Sequence, residues 1–530
     1  MADARSLPLL GRQPGFAWAW ALGLGLLSAT GFQPLGLWPL ALLAAGGGIM
    51  LTARAASARQ AAWLGWLFGV AHFTLGNNWI ATAFTHQAEM PAFVGWIAVP
   101  GIALYLAIYP ALAALTARLI VRSGPNWAYA LVFAGAWIVT EWLRSWVFSG
   151  YAWNPFAMVL LGPLDRPGLA AIAPFMGTYA LSGAAMLLSA ALLLLMAERR
   201  WRLLGLVSVL LALGMYWPAG SVQNSALRVT VVQPNLTQDL LQEPALYEAN
   251  FLTLAGLSPA VEAGGPRIVL WPESGLVDYL REGYPQRYYD RTTAFGNPAL
   301  ARRRLGSVIG ADSVLLTGAV DLEIGEVDGA ARAVGARNAV TAVSAGGEII
   351  GSYYKAHLVP GGEYLPLREW VEPLGLARLV PGSFDFWPGP GPRTLDLGEY
   401  GNAGVQICYE IVFSGQVTER ANRPDYIFND SNDGWFGAFG PPQHLAQARM
   451  RAVEEGLPVL RSTTTGISAI IDARGVVRQH LVSHTAGRID AFVPAAAPPT
   501  LFARVGNALA LFWAVVFLGA GLVALRQRGR

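Results

Sequence analysis

The chain has 530 residues, of which 54% are hydrophobic and only 13% are charged, and its mean hydropathy is +0.40. A typical soluble domain has about 25% charged residues, so much of this chain is expected to face lipid. The formal net charge of +3 and the lack of a basic stripe with interleaved aromatic residues argue against a nucleic-acid partner. A single cysteine excludes an internal disulfide and a cysteine-rich metal or iron–sulfur site.

Eight apolar segments are predicted to span a membrane, because a bilayer core of about 30 Å needs about 20 apolar residues per helix. Arg5 and Arg12 precede the first span, as in a signal sequence. That span lacks a clear small-x-small cleavage site and another span follows at once, so we interpret it as a retained anchor. The predicted spans cover about residues 15–31, 35–52, 61–84, 92–117, 127–148, 168–196, 203–218 and 505–525.

Basic residues between the spans predict the orientation of the chain. They cluster after the second, fourth, sixth and eighth spans, always in loops of the same parity. They are Arg54, Arg59, Arg118, Arg122, Arg199, Arg200, Arg202, Arg526, Arg528 and Arg530. Because loops rich in Arg and Lys stay in the cytoplasm, we expect both termini there. The domain between the seventh and eighth spans is then expected outside the cytoplasm.

Ionisable residues are few inside the predicted spans. The exceptions are His72 and the pair Glu141 and Arg144, whose i, i+3 spacing places them on one helix turn. We interpret the pair as an interfacial ion pair, with contact to a substrate as the alternative. A transporter usually places charges or broken helices at mid-membrane, and that pattern is weak here.

Residues 226–493 have ordinary soluble composition and alternate short β-branched strands with helical or polar stretches. This alternation predicts an α/β or layered-sheet domain, between a membrane domain at 1–220 and a C-terminal membrane helix at 505–525. The predicted strands are Leu227–Gln233, Arg267–Trp271, Val314–Ala319, Ala339–Ser344, Gly404–Cys408 and Tyr426–Asn429. The helical or polar stretches are 239–256, 411–421 and 442–456.

Three reactive side chains follow strands in this domain. Glu273 comes just after a buried strand, Lys355 follows the strand-like run 348–354, and Cys408 ends another strand. Reactive groups in α/β sheets collect beyond the carboxyl ends of strands, so the three can converge on one pocket. A lone buried cysteine is more often an inert small hydrophobe, so the prediction of a nucleophilic thiol depends on the other two residues.

These motifs, in this order, resemble the nitrilase superfamily, whose catalytic set is Glu, Lys and Cys. With seven spans before the domain and one after it, nearly the whole chain resembles the apolipoprotein N-acyltransferase family. The matching motifs are Val-Gln-Pro-Asn (232–235), Trp-Pro-Glu-Ser (271–274), Tyr-Tyr-Lys-Ala-His-Leu-Val-Pro-Gly-Gly-Glu-Tyr-Leu-Pro (353–366), Cys-Tyr-Glu (408–410), Asn-Asp-Gly-Trp-Phe-Gly (432–437) and the run 442–454. Two departures, at 236–241 and 463–465, leave the Glu, Lys and Cys in place.

The resemblance implies a multi-span α-helical membrane domain and an extracytoplasmic, nitrilase-like αββα sandwich. It also implies two half-reactions on one thiol. Cys408 takes an acyl chain from a membrane phospholipid as a thioester, and the α-amine of an apolipoprotein's diacylglyceryl-cysteine then accepts it. Glu273 is the expected proton acceptor. Lys355 and the backbone N–H of Tyr409 are expected to stabilise the oxyanion.

Further residues have two interpretations each. Glu363 supports catalysis by family likeness, or is a solvated loop carboxylate. Glu410 is expected to position the active-site turn, and Asn338 to hydrogen-bond within the site or to be a strand-end amide. His357 and His444 are interpreted as structural, because the six histidines of the chain show no metal-ligand spacing.

We expect no cofactor, no metal and a monomer in a bacterial inner membrane, with a periplasmic catalytic domain. Loops Leu374–Val380 and Trp435–Phe439 are hypothesised to dip into the bilayer. One alternative is a membrane-tethered extracytoplasmic amidase or nitrilase that uses water as the acceptor. Another is a transporter or sensor with a degenerate nitrilase-like binding domain, against which the intact Glu273, Lys355 and Cys408 argue.

Overall fold

The computed structural model describes residues 15–86, 91–259, 264–374, 378–379 and 385–528. The chain divides into two units. The first comprises Met1–Ala81, Phe93–Ala219 and Pro499–Arg530, and the second comprises Thr82–Ala92 and Gly220–Pro498. Arg5, Arg12 and Arg530 lie outside the described residues, as does most of the loop Leu374–Val380 that was hypothesised to enter the bilayer.

Apolar helices build the first unit, and each of the eight predicted spans contains one. The helices in this part of the sequence are Ala17–Ala29, Trp38–Ala53, Ala58–Gly76, Ile80–Ala83, Phe93–Leu106, Ile108–Ile120, Trp127–Arg144, Ala173–Met176, Thr178–Ala197, Trp201–Tyr216, Leu501–Val505 and Ala508–Arg528. Among the described residues, three helical stretches are long and apolar enough to cross a membrane: Phe93–Ile120, Thr178–Ala197 and Ala508–Gln527. The number of spans therefore stays a prediction.

The predicted span 168–196 begins too early. Its long helix starts only at Thr178, because Gly168 and Gly177 have positive φ angles of 67° and 75°. Such angles break an α-helix and favour glycine. A Cβ atom on Gly177 would also lie 2.4 Å from the ring of Phe502, so this break has both a conformational and a packing cause.

Glu141 and Arg144 are buried in the first unit, with relative exposures of 4% and 2%. Arg144 donates hydrogen bonds to the carbonyl oxygens of Tyr151 and Trp153 at 3.0 and 2.8 Å. Glu141 accepts one from the backbone N–H of Phe156 at 2.9 Å, whereas the two charged groups are 3.9 Å apart. The pair therefore holds the non-helical chain that follows Arg144 more closely than its members hold each other.

Two six-stranded sheets build the second unit. One has the strand order β12-β1-β2-β3-β4-β5 and the other β11-β10-β9-β8-β7-β6. The strands are β1 Asn224–Gln233, β2 Arg267–Leu270, β3 Ser313–Val327, β4 Ala330–Ser344, β5 Ile349–Tyr354, β6 Thr394–Asp396, β7 Asn402–Ile407, β8 Tyr426–Ser431, β9 Val459–Thr463, β10 Ala469–Ile471, β11 Val477–His480 and β12 Gly487–Pro494. Strands β1, β2 and β3 run parallel, as do β7, β8 and β9.

The helices of the second unit differ in two places from the predicted stretches. Pro244 divides the stretch 239–256, because proline cannot donate the hydrogen bond that would continue the helix. The stretch 411–421 contains only the end of a 3₁₀ turn, Cys408–Val412. The helices are Gln238–Gln242, Tyr247–Gly256, Gln286–Thr292, Pro298–Ile309, Arg368–Val371 and Gly440–Glu455.

Alternating side chains of the first sheet pack on two different layers. Ile268 and Leu270 of β2 join a buried cluster with Val405 and Phe428 of the second sheet. The next residues along the strand, Val269 and Trp271, pack with residues of the helices Tyr247–Gly256 and Pro298–Ile309. Because strand side chains alternate between faces, this pattern gives helix-on-sheet and sheet-on-sheet layers. Because β1, β2 and β3 run parallel, as do β7, β8 and β9, the residues that follow β2, β7 and β8 lie at the carboxyl edges of the parallel parts of the two sheets.

Candidate active site

Cys408 lies in a left-handed turn directly after β7. Its φ angle is 51°, and it begins the 3₁₀ turn Cys408–Val412. Positive φ is uncommon for a residue with a side chain and costs conformational energy, so the surrounding contacts must hold it. The residue is 6% exposed, which leaves the thiol nearly enclosed.

Glu410 holds this turn against the end of β5. Its Oε2 accepts a hydrogen bond from the backbone N–H of Ile407 at 2.8 Å. Its Oε1 accepts from the hydroxyl of Tyr353 at 2.8 Å and from the backbone N–H of Ala356 at 2.7 Å. Burial raises the pKa of Glu410 to about 7. Since the carboxylate is occupied by these donors, its position suits support of the turn, the role predicted for it.

Lys355 lies between two carboxylates and is 2% exposed. Its Nζ is 3.0 Å from Oε1 of Glu363 and 3.6 Å from Oε1 of Glu273. Asn338 joins the same cluster, since its Nδ2 donates to Glu273 at 2.7 Å and to Glu363 at 3.0 Å. The pairing of neighbouring strands explains this meeting, because the backbone N–H of Lys355 donates to the carbonyl of Asn338 at 2.9 Å.

Glu273 is held at both carboxylate oxygens. Asn338 donates to Oε1, and the backbone N–H of Asn432 donates to Oε2 at 2.9 Å. Asn432 follows β8, so residues from both sheets orient this carboxylate. The motif that begins with Asn432 (432–437) is visible in the sequence. The motif does not reveal that the backbone N–H of Asn432 faces Glu273.

The charges of the cluster keep the cysteine protonated and the lysine charged. Burial raises the pKa of the Cys408 thiol, and the negative charge of Glu273 raises it further, against the opposing effect of Lys355. Burial alone would lower the pKa of Lys355, but the negative charges of Glu363 and Glu273 outweigh this effect and raise it. The resting site is therefore expected to hold a thiol and an ammonium group, and the thiol needs a base to react.

His444 lies beside Cys408, a position that the sequence did not predict. Its Nε2 is 3.0 Å from the carbonyl oxygen of Cys408 and its Nδ1 is 2.9 Å from Oδ1 of Asp433. The guanidinium of Arg461 binds Asp433 at 2.6 Å. The histidine comes from the helix Gly440–Glu455, 36 residues after the cysteine. That separation gave no signal of proximity.

His357 makes different contacts from those of His444. Its Nε2 is 2.7 Å from Oε1 of Gln416, and its ring stacks on that of Phe413 with a centroid distance of 4.2 Å. Over the described ranges, with their gaps, no group of three His, Cys, Asp or Glu side chains is arranged to hold a metal ion. Cys408, Glu273 and Lys355 together offer the chemistry of a nucleophilic thiol with a base and a cation near it.

Two family models match different parts of this chain. Residues 228–489 match the family model described as Carbon-nitrogen hydrolase. The second unit, with two packed sheets and with Cys408, Lys355 and Glu273 near strand ends, thus has a nitrilase-like α/β fold. Residues 24–192 match the model described as Apolipoprotein N-acyltransferase N-terminal domain.

Two relatives are similar over nearly the whole chain. The apolipoprotein N-acyltransferase of Rhodopseudomonas palustris is 33% identical, with 97% of this chain and 96% of that protein covered. That of Bradyrhizobium diazoefficiens is also 33% identical, with 96% of each covered. The chain therefore belongs to the apolipoprotein N-acyltransferase family. This confirms the resemblance seen in the motifs, and with the apolar helices it makes the chain an integral membrane protein.

Two solved structures of the nitrilase superfamily are similar to about half of this chain. An amidase of the nitrilase superfamily from Nesterenkonia AN1 is 17% identical, covers 52% of this chain and 94% of its own, and has a TM-score of 0.32. A nitrilase-superfamily protein from Saccharomyces cerevisiae is 16% identical, covers 52% and 93%, and has a TM-score of 0.33. The assignment to the family rests on the two relatives, with the family models in agreement.

Proposed function

We propose that this chain transfers an acyl chain from a membrane phospholipid to the N-terminal amine of an apolipoprotein's diacylglyceryl-cysteine, through a thioester on Cys408. Family membership supports lipoprotein N-acylation. The observation that carries the covalent route is the arrangement of Cys408. A buried thiol on a left-handed turn lies in the electrostatic field of Glu273 and Lys355. Such a thiol needs a base and a cation to react, and both are beside it.

The first half-reaction forms the thioester. Glu273 takes the thiol proton as Sγ of Cys408 bonds to the carbonyl carbon of a phospholipid ester. The carbonyl oxygen becomes negative, and Lys355 Nζ and the backbone N–H of Tyr409 stabilise it, an effect commonly worth about 3 kcal/mol per donor. The bond from that carbon to the glycerol oxygen then breaks. Glu273 returns the proton to the leaving oxygen, and lysophospholipid is released.

The second half-reaction transfers the acyl chain. The α-amine of the diacylglyceryl-cysteine attacks the thioester carbon, and Glu273 accepts the proton that the amine loses. The carbon–sulfur bond breaks, an amide forms, and the proton returns to the thiolate. Nζ of Lys355 lies 3.0 Å from Oε1 of Glu363 and 3.6 Å from Oε1 of Glu273, so the two carboxylates share one ammonium group. We assign Glu363 and Asn338 the role of holding the lysine and the base in place through both steps.

The substrates suggest where the chain works. Both are lipid-anchored, so the catalytic unit must act at a membrane surface. We propose that this membrane is the bacterial inner membrane, with the catalytic domain in the periplasm and both termini in the cytoplasm. The parity of the basic loops supports that orientation. We further propose that the enzyme works as a monomer, without a cofactor.

The test of the function is transfer between two lipids. Purified full-length protein in phospholipid nanodiscs, with the donor's acyl chains isotope-labelled, is mixed with a synthetic diacylglyceryl-cysteine peptide. We expect the labelled acyl group in an amide bond on the peptide, together with an equal amount of lysophospholipid, by mass spectrometry. An N-acetylated peptide with the same lipid is the matched control and should receive no label.

Other outcomes point to the competing function. Labelled fatty acid released into water without peptide product, together with hydrolysis of small amides, would indicate a membrane-tethered amidase. No release, hydrolysis or transfer by folded protein would contradict an enzymatic role for the cysteine.

A further inference from the structure

The peptide group between Cys408 and Tyr409 has a buried histidine on its carbonyl side. His444 is fully buried, and its Nε2 lies 3.0 Å from the carbonyl oxygen of Cys408. A carbonyl oxygen can only accept a hydrogen bond, so Nε2 must carry a proton and donate it. This holds for the protonated ring and for the neutral ring alike, since only a tautomer with a proton on Nε2 makes the contact favourable.

Charged groups fix the other side of the ring. Nδ1 lies 2.9 Å from Oδ1 of Asp433 and 3.1 Å from Nη2 of Arg461. The same Arg461 nitrogen donates to both oxygens of Asp433 at 2.8 and 2.6 Å, and the Ser431 hydroxyl donates to Asp433 at 2.9 Å. Burial and the charge of Arg461 lower the pKa of His444. In the protonated ring Nδ1 donates to Asp433, and in the neutral ring with its proton on Nε2 it accepts from Arg461.

A rigid peptide group links this histidine to the reaction. The peptide plane is stiff, and in its trans form the C=O and N–H bonds point in opposite directions. Holding the Cys408 carbonyl therefore also fixes the direction of the Tyr409 N–H. A hydrogen bond to the carbonyl polarises the whole group, which makes that N–H a better donor.

We propose that His444 is a positioning residue for the oxyanion site. By donating to the Cys408 carbonyl, it aims and polarises the Tyr409 N–H towards the oxygen that becomes negative during acyl transfer. Asp433 and Arg461 hold the ring in the orientation that this requires. The inference rests on the proposed function in one respect, that Cys408 is acylated through a tetrahedral intermediate. It does not depend on which lipid supplies the acyl group.

Two reactions of the same thiol separate this role from a general structural one. Alkylation by iodoacetamide occurs at a saturated carbon and forms no oxyanion, whereas acylation by p-nitrophenyl acetate forms one. Because the chain has a single cysteine, alkylation reports on Cys408, and acylation is measured as the mass increase of the peptide that contains Cys408. The readout is the ratio of the acylation rate to the alkylation rate in full-length protein.

Two substitutions of His444 form a matched pair. In His444→Asn the amide nitrogen occupies the position of Nδ1, so contact with Asp433 and Arg461 is kept but Cys408 is not reached. In His444→Gln it occupies the position of Nε2 and can still donate to the carbonyl. Removing one oxyanion donor costs about 100- to 1,000-fold. For a misdirected donor we expect His444→Asn to lower the ratio about 10- to 100-fold, and His444→Gln to restore it to within about 5-fold of the wild type.

An unchanged ratio in His444→Asn would overturn the proposal. This includes the case in which both reactions slow equally, because that result would indicate an effect on the thiol or on folding. If His444→Asn does not fold, Asp433→Asn decides. It keeps the histidine but loosens its anchor, and the ratio should fall in the same direction. An unchanged ratio there contradicts the proposal. The ester needs neither phospholipid nor lipoprotein, so lipid transfer can fail while the ratio still falls, and the two proposals remain distinguishable.

Discussion

Both units bury charged side chains, but the partners of those charges differ. In the first unit, Arg144 and Glu141 bind mainly backbone groups of the chain that follows their helix. In the second unit, Lys355, Glu273 and Glu363 contact one another and an asparagine amide. Both clusters are hidden from solvent, but the charged groups are closer together in the second, where Lys355 is 3.0 Å from Glu363, than in the first, where Arg144 is 3.9 Å from Glu141.

This difference indicates that the buried charges have a structural role in the first unit and a chemical role in the second. Non-helical chain inside an apolar bundle needs partners for its N–H and C=O groups, and the first pair supplies them. In the second cluster, groups that can exchange protons lie beside a thiol, as in a catalytic centre. Burial of a charge alone therefore does not locate an active site, and the kind of partner does.

Removal of the thiol should give the largest effect. Cys408→Ala is expected to lower acyl transfer by at least about 10,000-fold, because no other group in the site can form the covalent intermediate. The melting temperature in nanodiscs should stay close to that of the wild type, since the change only shortens a side chain. Transfer above one per cent of the wild-type rate would contradict a covalent route through this residue.

Removal of the base should affect two reactions in opposite directions. Glu273→Gln is expected to lower acyl transfer by about 100- to 10,000-fold, the contribution of a general base. Alkylation by iodoacetamide at pH 8 should become faster. The negative charge of Glu273 raises the pKa of Cys408, so its loss lowers that pKa and increases the thiolate fraction.

Stopped-flow or mass-spectrometric alkylation rates between pH 7 and about 10 check the sign of this shift. The exposed Glu282 provides the control, since Glu282→Gln should change neither reaction. Unchanged alkylation in Glu273→Gln would show that the charge of Glu273 does not act on the thiol, whereas slower alkylation would show that its role as proton acceptor outweighs its charge in this reaction.

In the first unit the effect should be on stability instead of chemistry. Arg144→Ala leaves the buried carbonyls of Tyr151 and Trp153 without their donor. It is expected to cost about 3 kcal/mol of unfolding free energy, measured by thermal or denaturant unfolding in detergent. Activity per folded molecule should stay within about 3-fold. Arg122→Ala, at an exposed position, serves as the control. A loss of activity without loss of stability would favour the substrate-contact alternative.

The turn that carries the thiol should respond least. Glu410→Gln keeps an oxygen for Tyr353 and Ala356 but turns an N–H₂ group towards the N–H of Ile407. Two facing donors in a buried site cost about 1–3 kcal/mol. We expect that loss in unfolding free energy and a fall of about 10-fold in acyl transfer. Glu326→Gln, an exposed residue of the same unit, should be neutral. A stable, fully active variant would remove the positioning role of Glu410.

Much of the site follows from strand ends in the sequence. Cys408 comes directly after a short buried strand and Glu273 comes three residues after another, and parallel strands bring such positions to one edge. Lys355 and Asn338 meet because their strands pair in one hairpin, although only their motifs were visible beforehand. The family resemblance added Glu363, whose loop position gave no geometric clue.

Other features depend on contacts that no local pattern encodes. His444 reaches Cys408 from a helix far along the chain, so it was interpreted only as structural. The stretch 411–421, expected to be helical or polar, contains only the end of the 3₁₀ turn that begins at Cys408. The span expected from 168 starts at Thr178, since apolar composition does not reveal how two left-handed glycines redirect the chain.

The most direct test of the central claim is capture of the acyl-enzyme. Wild-type protein in nanodiscs of labelled phospholipid, without acceptor peptide, is quenched in acid and its mass is measured intact and after proteolysis. A mass increase equal to one labelled acyl chain on the peptide that contains Cys408, removed by hydroxylamine and by the diacylated lipopeptide, is the predicted result. An unmodified Cys408 under conditions where labelled product does form would contradict the covalent mechanism.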